Sequence, residues 1–283
     1  MKRRAILLMT TMALALVLGS GVALALNVVN CEGSGIKCVG TNKADLIKGT
    51  NGLDAIYARD KNDTLKGFGR GDALLGQKGN DTLLGGRGQD FVIGGEDDDT
   101  LRGEDALDIY YFERSEWGQD TIVEDSPSSN IVRLPDKETF SGTITTKLTS
   151  DPALPEVTNS ENASTVNWSG NVISVVIGST GNDMVTGNEE ANDIFDGEGR
   201  ETDTDTITAA GGNDLIDVQD GAADDKVECG EGHDTVYFDQ ELELVVPDEC
   251  EEKNPIPNTL EARRATTYGA GVLGGSGPLG SSQ

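Results

Sequence analysis

Asp90 and Asp99 stand nine residues apart in GGRGQDFVIGGEDDDTLRG (residues 85–103). Each follows a glycine-rich run, and each is followed two places later by an apolar residue, Val92 or Leu101. Carboxylates beside glycine loops, where backbone carbonyls can approach an ion, form an oxygen-rich set that suits a hard cation. An unstructured acidic linker would have a similar composition. Register over a longer span separates the two readings. Steps of nine from Asp45 land on Asp54, Asp63, Asp72, Asp81, Asp90, Asp99 and Asp108 without a slip. Two places after each comes Ile47, Ile56, Leu65, Leu74, Leu83, Val92, Leu101 and Tyr110. Five places before each comes Gly40, Gly49, Ala58, Gly67, Gly76, Gly85, Gly94 and Gly103. A linker has no reason to hold an apolar residue at one phase of nine, so the chain is read as a repeated ion-binding turn.

The elements that must position these carboxylates follow from the unit. Six residues of Gly, small polar groups and Asp make a turn. The next three put one apolar side chain inward between two outward ones, as a very short strand does. One unit cannot bury its apolar residue, but stacked units build sheets with layers roughly 4.8 Å apart around a thin apolar stripe. The turns then stack into columns of carboxylates and carbonyls. Calcium, with about 6–8 oxygen ligands in flexible geometry, suits such loops better than magnesium, which insists on a near-octahedral shell.

The units GQKGNDTLL (76–84) and GGRGQDFVI (85–93) resemble the G-G-x-G-x-D-x-U-x nonapeptide of the RTX, or hemolysin-type, calcium-binding repeat family. The resemblance covers residues 40–111 in register. It implies an all-β fold, a right-handed parallel β-roll or β-solenoid in which two nonapeptides make one coil and calcium lies between loops of successive coils. Carried onto this chain, it makes Asp45, Asp54, Asp63, Asp72, Asp81, Asp90, Asp99 and Asp108 the ligand aspartates. The Gly-rich loops become carbonyl donors, foremost Gly76, Gly79, Gly85, Gly86 and Gly88 in the two most orthodox loops. Four coils leave three gaps on each edge and so at most six sites. Fewer are expected, because Lys43, Lys61, Arg70, Asp97 and Ala106 replace the fourth-position glycine, Ala58 replaces the first, and basic residues there should weaken the field and the turn. Asp97 and Asp98 either add oxygen ligands or face water.

The rest of the chain divides as follows. Residues 112–173 read as a β-rich cap and connecting region. Trp117 and Phe112 are assigned to its core, and the W-G-Q-D-T-I phrase resembles segments that close such rolls. Residues 174–252 hold a second, irregular repeat block. Its key aspartates are read as Asp183, Asp193, Asp205, Asp214, Asp225 and Asp234, with Val185, Phe195, Ile207, Ile216, Val227 and Val236 two places on. Asp214 and Asp234 are its best calcium candidates. Residues 253–283 are Gly-, Pro- and Ser-rich without periodicity and are read as a disordered tail.

Composition bounds the function. Acidic residues outnumber basic ones 50 to 22, a net charge of −28, so nucleic acid and anionic membranes are poor partners and cations are natural ones. Residues 1–25 read as a signal peptide: Lys2, Arg3 and Arg4, then an apolar run, then Ala23-Leu24-Ala25. Residues 26–39 form a cysteine-containing lead. No other segment is apolar enough to span a bilayer. In an oxidising exterior the four cysteines are expected to pair locally, Cys31 with Cys38 and Cys229 with Cys250.

A single histidine excludes an H-E-x-x-H zinc site, and neither a G-x-S-x-G elbow nor a P-loop occurs. The expectation is therefore a secreted, monomeric, non-catalytic protein with calcium as its cofactor and partner. An adhesin with an unknown cell-surface or matrix ligand, or a remnant of an RTX-type toxin or hydrolase, is the alternative.

Overall fold

The structure is a computed structural model. It describes residues 14–16, 24–33, 37–112, 117–124, 130–134, 144–147, 157–159, 165–167, 173–179, 181–197, 204–219, 225–239 and 250–256. Most of the expected signal peptide and all of the tail beyond residue 256 lie outside them.

The nonapeptide becomes half a coil. Strands Asp45–Lys48, Thr64–Gly69, Thr82–Arg87 and Thr100–Asp105 pair in parallel in one sheet. Strands Lys37–Val39, Ala55–Asp60, Ala73–Lys78, Phe91–Glu96 and Ile109–Tyr111 do so in the other. Every register step here is eighteen residues: Ile47 faces Leu65, Leu65 faces Leu83, and Leu83 faces Leu101. Two nonapeptides therefore make one coil, as the resemblance implied. The described residues are strands and connections without a helix, a parallel β-roll. The strands run up to six residues rather than three, because pairing resumes beyond the first loop residue, as in Phe68 with Gly86 and Gly69 with Arg87.

The apolar phase forms the interior. Ile47, Leu65, Leu83 and Leu101 from one sheet meet Ile56, Leu74, Val92 and Tyr110 from the other, all fully buried. Each such side chain contributes roughly 2 kcal/mol relative to exposure. Parallel sheets need cover on both faces. The outer face of the second sheet has a smaller apolar layer of Ala73, Leu75 and Ile93, packed with Tyr57, Phe91 and Tyr111.

Residues 117–124 and 130–134 do not close the roll; they extend it. Gln119–Ile122 pairs in parallel with Thr100–Asp105, setting Ile122 on Leu101, and Asn130–Arg133 pairs with Ile109–Tyr111, setting Val132 on Tyr110. Trp117 and Phe112 are buried with ring centroids 5.5 Å apart, as core residues. One sheet then takes in an antiparallel excursion, Thr165–Asn167, Val157–Asn159 and Ile144–Lys147. The other passes directly from Asn130–Arg133 to Ile173–Ile177.

The second block continues the same two sheets. Asp183–Thr186, Thr206–Thr208 and Lys226–Glu228 extend one; Ile173–Ile177, Asp193–Phe195, Leu215–Val218 and Thr235–Asp239 extend the other. Glu252–Ile256 pairs in parallel with Thr235–Asp239 and so reaches four residues into the expected tail. Both expected disulfides form, Cys31–Cys38 and Cys229–Cys250, one in the leading coil and one in the trailing coil.

Candidate cation-binding loops

In the regular repeat each strand from Asp45–Lys48 to Ile109–Tyr111 is entered through an aspartate, and these aspartates are buried in two columns. One edge carries Asp45, Asp63, Asp81 and Asp99; the other carries Asp54, Asp72, Asp90 and Asp108, all at most 4 % exposed. From Asp63 and Asp72 onward, one carboxylate oxygen of each links its coil to the one before. The Asp45 amide donates to Asp63 Oδ1 at 2.7 Å, Asp63 to Asp81, and Asp81 to Asp99. On the other edge Asp54 donates to Asp72 Oδ1 at 2.8 Å, Asp72 to Asp90, and Asp90 to Asp108. Such charge-assisted bonds to ionised acceptors are roughly twice as strong as neutral ones.

The second oxygen behaves differently. Oδ2 of Asp63, Asp72, Asp81, Asp90, Asp99 and Asp108 is buried without a hydrogen-bond partner. A carboxylate buried so, with like charges stacked one coil away, is costly. At about 4.8 Å and an effective dielectric near 20, each neighbouring pair repels by about 3 kcal/mol. Burial accordingly pushes the carboxyls up against the lowering effect of the ladder amide, with neighbouring carboxylates adding to the rise. Asp63, Asp72 and Asp108 reach about 7, and Asp81, Asp90 and Asp99 about 8.

The glycines provide space for these oxygens. A Cβ on Gly76 would lie 2.5 Å from both Asp81 Oδ2 and the Gly94 carbonyl oxygen of the next coil. Gly85 likewise faces Asp90 Oδ2 and the Gly103 carbonyl. At Gly79, Gly86 and Gly88 the backbone has φ of +113°, +116° and +106°, the region glycine enters most easily. At four of the five non-glycine fourth positions the expected weakening of the turn does not appear as a change of path; Lys43, without a positive φ, is the exception. Lys61, Arg70, Asp97 and Ala106 adopt the same positive φ, at 83°, 68°, 78° and 95°. Asp97 and Asp98 are exposed, and Asp98 Oδ1 accepts the Gln119 amide, so both lie on the outside of the turn.

The ladder reaches further than the regular repeat. Asp99 donates to Asp120 Oδ1 and Asp108 to Asn130 Oδ1. In the second block Asp183 donates to Asp205, Asn192 to Asp214, Asp205 to Asp225, Asp214 to Asp234, and Asp234 to Glu251 Oε2. Asp214 and Asp234, the best candidates there, are buried and keep an unpartnered Oδ2; burial raises Asp214 to about 6.

One assignment is corrected: the rung is Asn192 with core residue Ile194, not Asp193 with Phe195. Asn192 and Ile194 are buried, whereas Asp193 is exposed. The phase was misread by one because Asn192 fills the ligand place with an amide. Corrected spacings from Asp183 to Asp234 run 9, 13, 9, 11 and 9, so only the turns on one edge lengthen. Asp120, Asn130 and Glu251 were missed for a related reason: loops enlarged by three or more residues, or a different side chain, break the count. The Gly118-x-Asp120-x-Ile122 phase was the available signal, and Gly118 has the expected φ of +79°.

Among the described residues no three His, Cys, Asp or Glu side chains converge on one point. A cation here would take part of its oxygen shell from backbone carbonyls, as calcium does and zinc does not. Orphaned carboxylate oxygens facing next-coil carbonyls across a glycine-sized space fit a hard, oxygen-seeking ion.

Fold and site together define a parallel β-roll with columns of acidic glycine loops along both edges. The RTX calcium-binding nonapeptide repeat family matches the chain in four copies, over residues 39–67, 66–101, 75–109 and 201–222. The chain thus carries RTX nonapeptide repeats, a calcium-binding motif, and the last match includes the second-block rungs Asp205 and Asp214. A comparison with curated proteins finds no match.

Proposed function

We propose that this is a secreted calcium-binding protein without catalytic activity, whose β-roll is completed and stiffened by Ca2+ held between stacked loops. The observation that carries the reading is the pair of columns of buried Oδ2 atoms, from Asp63 to Asp108, with no protein donor. Asp63, Asp72, Asp81, Asp90, Asp99 and Asp108 would hold the ion together with loop carbonyls. Calcium would supply the positive charge these carboxylates lack and would couple binding to folding, since the paired loops exist only in the roll. Export before folding fits the same chemistry: low calcium leaves the chain loose, and millimolar calcium outside folds it.

The two disulfides and the repeat type support an extracellular setting. Among the described residues no helix is long and apolar enough to cross a membrane. The adhesin alternative would use the middle strands as its binding face, and the side chains of 144–147, 157–159 and 165–167 lie outside the described residues. Far-UV circular dichroism with and without calcium tests the proposal. A marked gain of β signal on adding calcium is expected, and a roll fully formed in excess chelator would overturn it.

A further inference from the structure

Four loops differ from the rest. They are the first on each edge of each block: 40–45, 49–54, 178–183 and 187–192. In each, the second residue is Thr41, Thr50, Ser179 or Asn188, and it turns back on the ladder residue. The Thr41 amide donates to Asp45 Oδ2 at 2.5 Å and its hydroxyl to the same carboxylate. Thr50 does this to Asp54 Oδ2 through amide and hydroxyl, at 2.6 and 2.9 Å. Ser179 repeats the pattern on Asp183, at 2.6 Å from the amide and 3.1 Å from the hydroxyl. The Asn188 amide donates to Asn192 Oδ1 at 3.0 Å, and Asn192 Nδ2 donates back to Asn188 Oδ1. The second residue's side-chain oxygen also accepts the amide of the fourth residue, at Gly52, Gly181 and Glu190.

Backbone and composition agree with these contacts. The positive φ at the second residue of the later loops, Arg59, Phe68, Gln77, Gly86, Gly95 and Glu104, is absent at Thr41, Thr50, Ser179 and Asn188. In the fourth of these loops the ladder residue is itself neutral, Asn192. Asp45 is therefore satisfied at both oxygens, by Thr41 and by the Asn27 side-chain amide, and Asp54 at Oδ2, with only its Oδ1 left unpartnered, where Oδ2 of Asp63 to Asp108 is orphaned.

We propose that Thr41, Thr50, Ser179 and Asn188 are built-in replacements for the cation. They close the leading loop on each edge of each block, so that calcium-dependent coils grow from a metal-independent start. The physical reason is position. Across most of the roll a loop has a loop of its own kind on both sides. A leading carboxylate has such a loop on one side only and would be left half-neutralised. Donors from its own loop solve this locally. The inference rests on the calcium-binding reading and adds which loops do not take part.

The test uses the full-length protein with Thr50→Val, Thr50→Gly and, as control, Thr50→Ser. Calcium per chain is measured by equilibrium dialysis, and melting temperature is measured in calcium and in excess chelator. Thr50→Val should leave the calcium count unchanged and lower the melting temperature by similar amounts in both conditions. Thr50→Gly creates G-G-N-G-L-D and should raise the count by one. Thr50→Ser should match the parent. A lower count in Thr50→Val makes Thr50 a calcium ligand and overturns the proposal; so does an unchanged count in Thr50→Gly. If the parent bound no calcium, the functional reading would fail, while the chelator melting temperature of Thr50→Val would still read the cap. Should Thr50→Val not fold, Ser179→Ala is read by the same two measurements.

Discussion

From Asp63 to Asp108 each ladder aspartate divides its two oxygens between two tasks. Oδ1 ties its coil to the one before by accepting an amide, and Oδ2 is left for whatever fills the loop. Removing a ligand should thus matter most where the neighbouring loops are of the open kind. Asp81→Ala should lose bound calcium in isothermal titration, whereas Asp45→Ala, whose carboxylate Thr41 already satisfies, should keep the parental count. Equal losses would count against the stacked-loop arrangement.

The raised carboxyls also set a pH dependence. Asp81 moves from its ordinary 3.8 to about 8 because burial disfavours the charged form. For an acid raised in the fold, stability is fully present below the unfolded value and is lost as pH climbs through the folded one. Calcium-stripped protein should therefore melt higher at pH 5 than at pH 8. With calcium saturating at pH 8, the order should reverse, because the ion needs the carboxylate. A calcium-free melting temperature that rises with pH would contradict the burial argument.

At the scale of the element, the unit is a turn plus a strand whose inward residue is named by phase. That phase was legible over residues 40–111, where spacing and register agree. It failed by one residue at Asn192, since a count keyed to Asp passes over an Asn and settles on the next carboxylate. Side-chain packing tests the correction. Ile194→Ala empties a site in the sealed interior and should cost about 3 kcal/mol in denaturant unfolding. Phe195→Ala, at a half-buried outward position, should cost less than half of that. A larger loss at Phe195 would restore the first reading. The W-G-Q-D-T-I phrase teaches the same lesson. Its Gly118, Asp120 and Ile122 repeat the unit's chemistry, but the longer loop before them hides the period.

Over the whole molecule, coils contact mainly their neighbours, so the ends are where the solenoid is weakest. Each end carries a disulfide. Cys229–Cys250 spans 21 residues and closes the trailing coil. Replacing both cysteines with Ala should lower stability by about 3 kcal/mol. Hydrogen exchange should rise in residues 215–256 and stay unchanged around Asp81. A uniform rise along the roll would show instead that the coils open as one unit.

The nine-residue phase is a local property: every unit contains its own aspartate and apolar residue, and all but 58–66 a glycine, so the repeat and its oxygen-rich loops can be read from spacing, and the resemblance adds the coil of two units. Whether a given carboxylate is orphaned or capped depends on which way the second loop residue turns. Whether an irregular segment continues the roll depends on the strand it lies against. Both are decided by contacts between residues in neighbouring coils or across a folded loop. For that reason only the tertiary structure separates Asp54 from Asp72 and carries the ladder through Asp120 and Asn130 and again from Asp183 to Glu251.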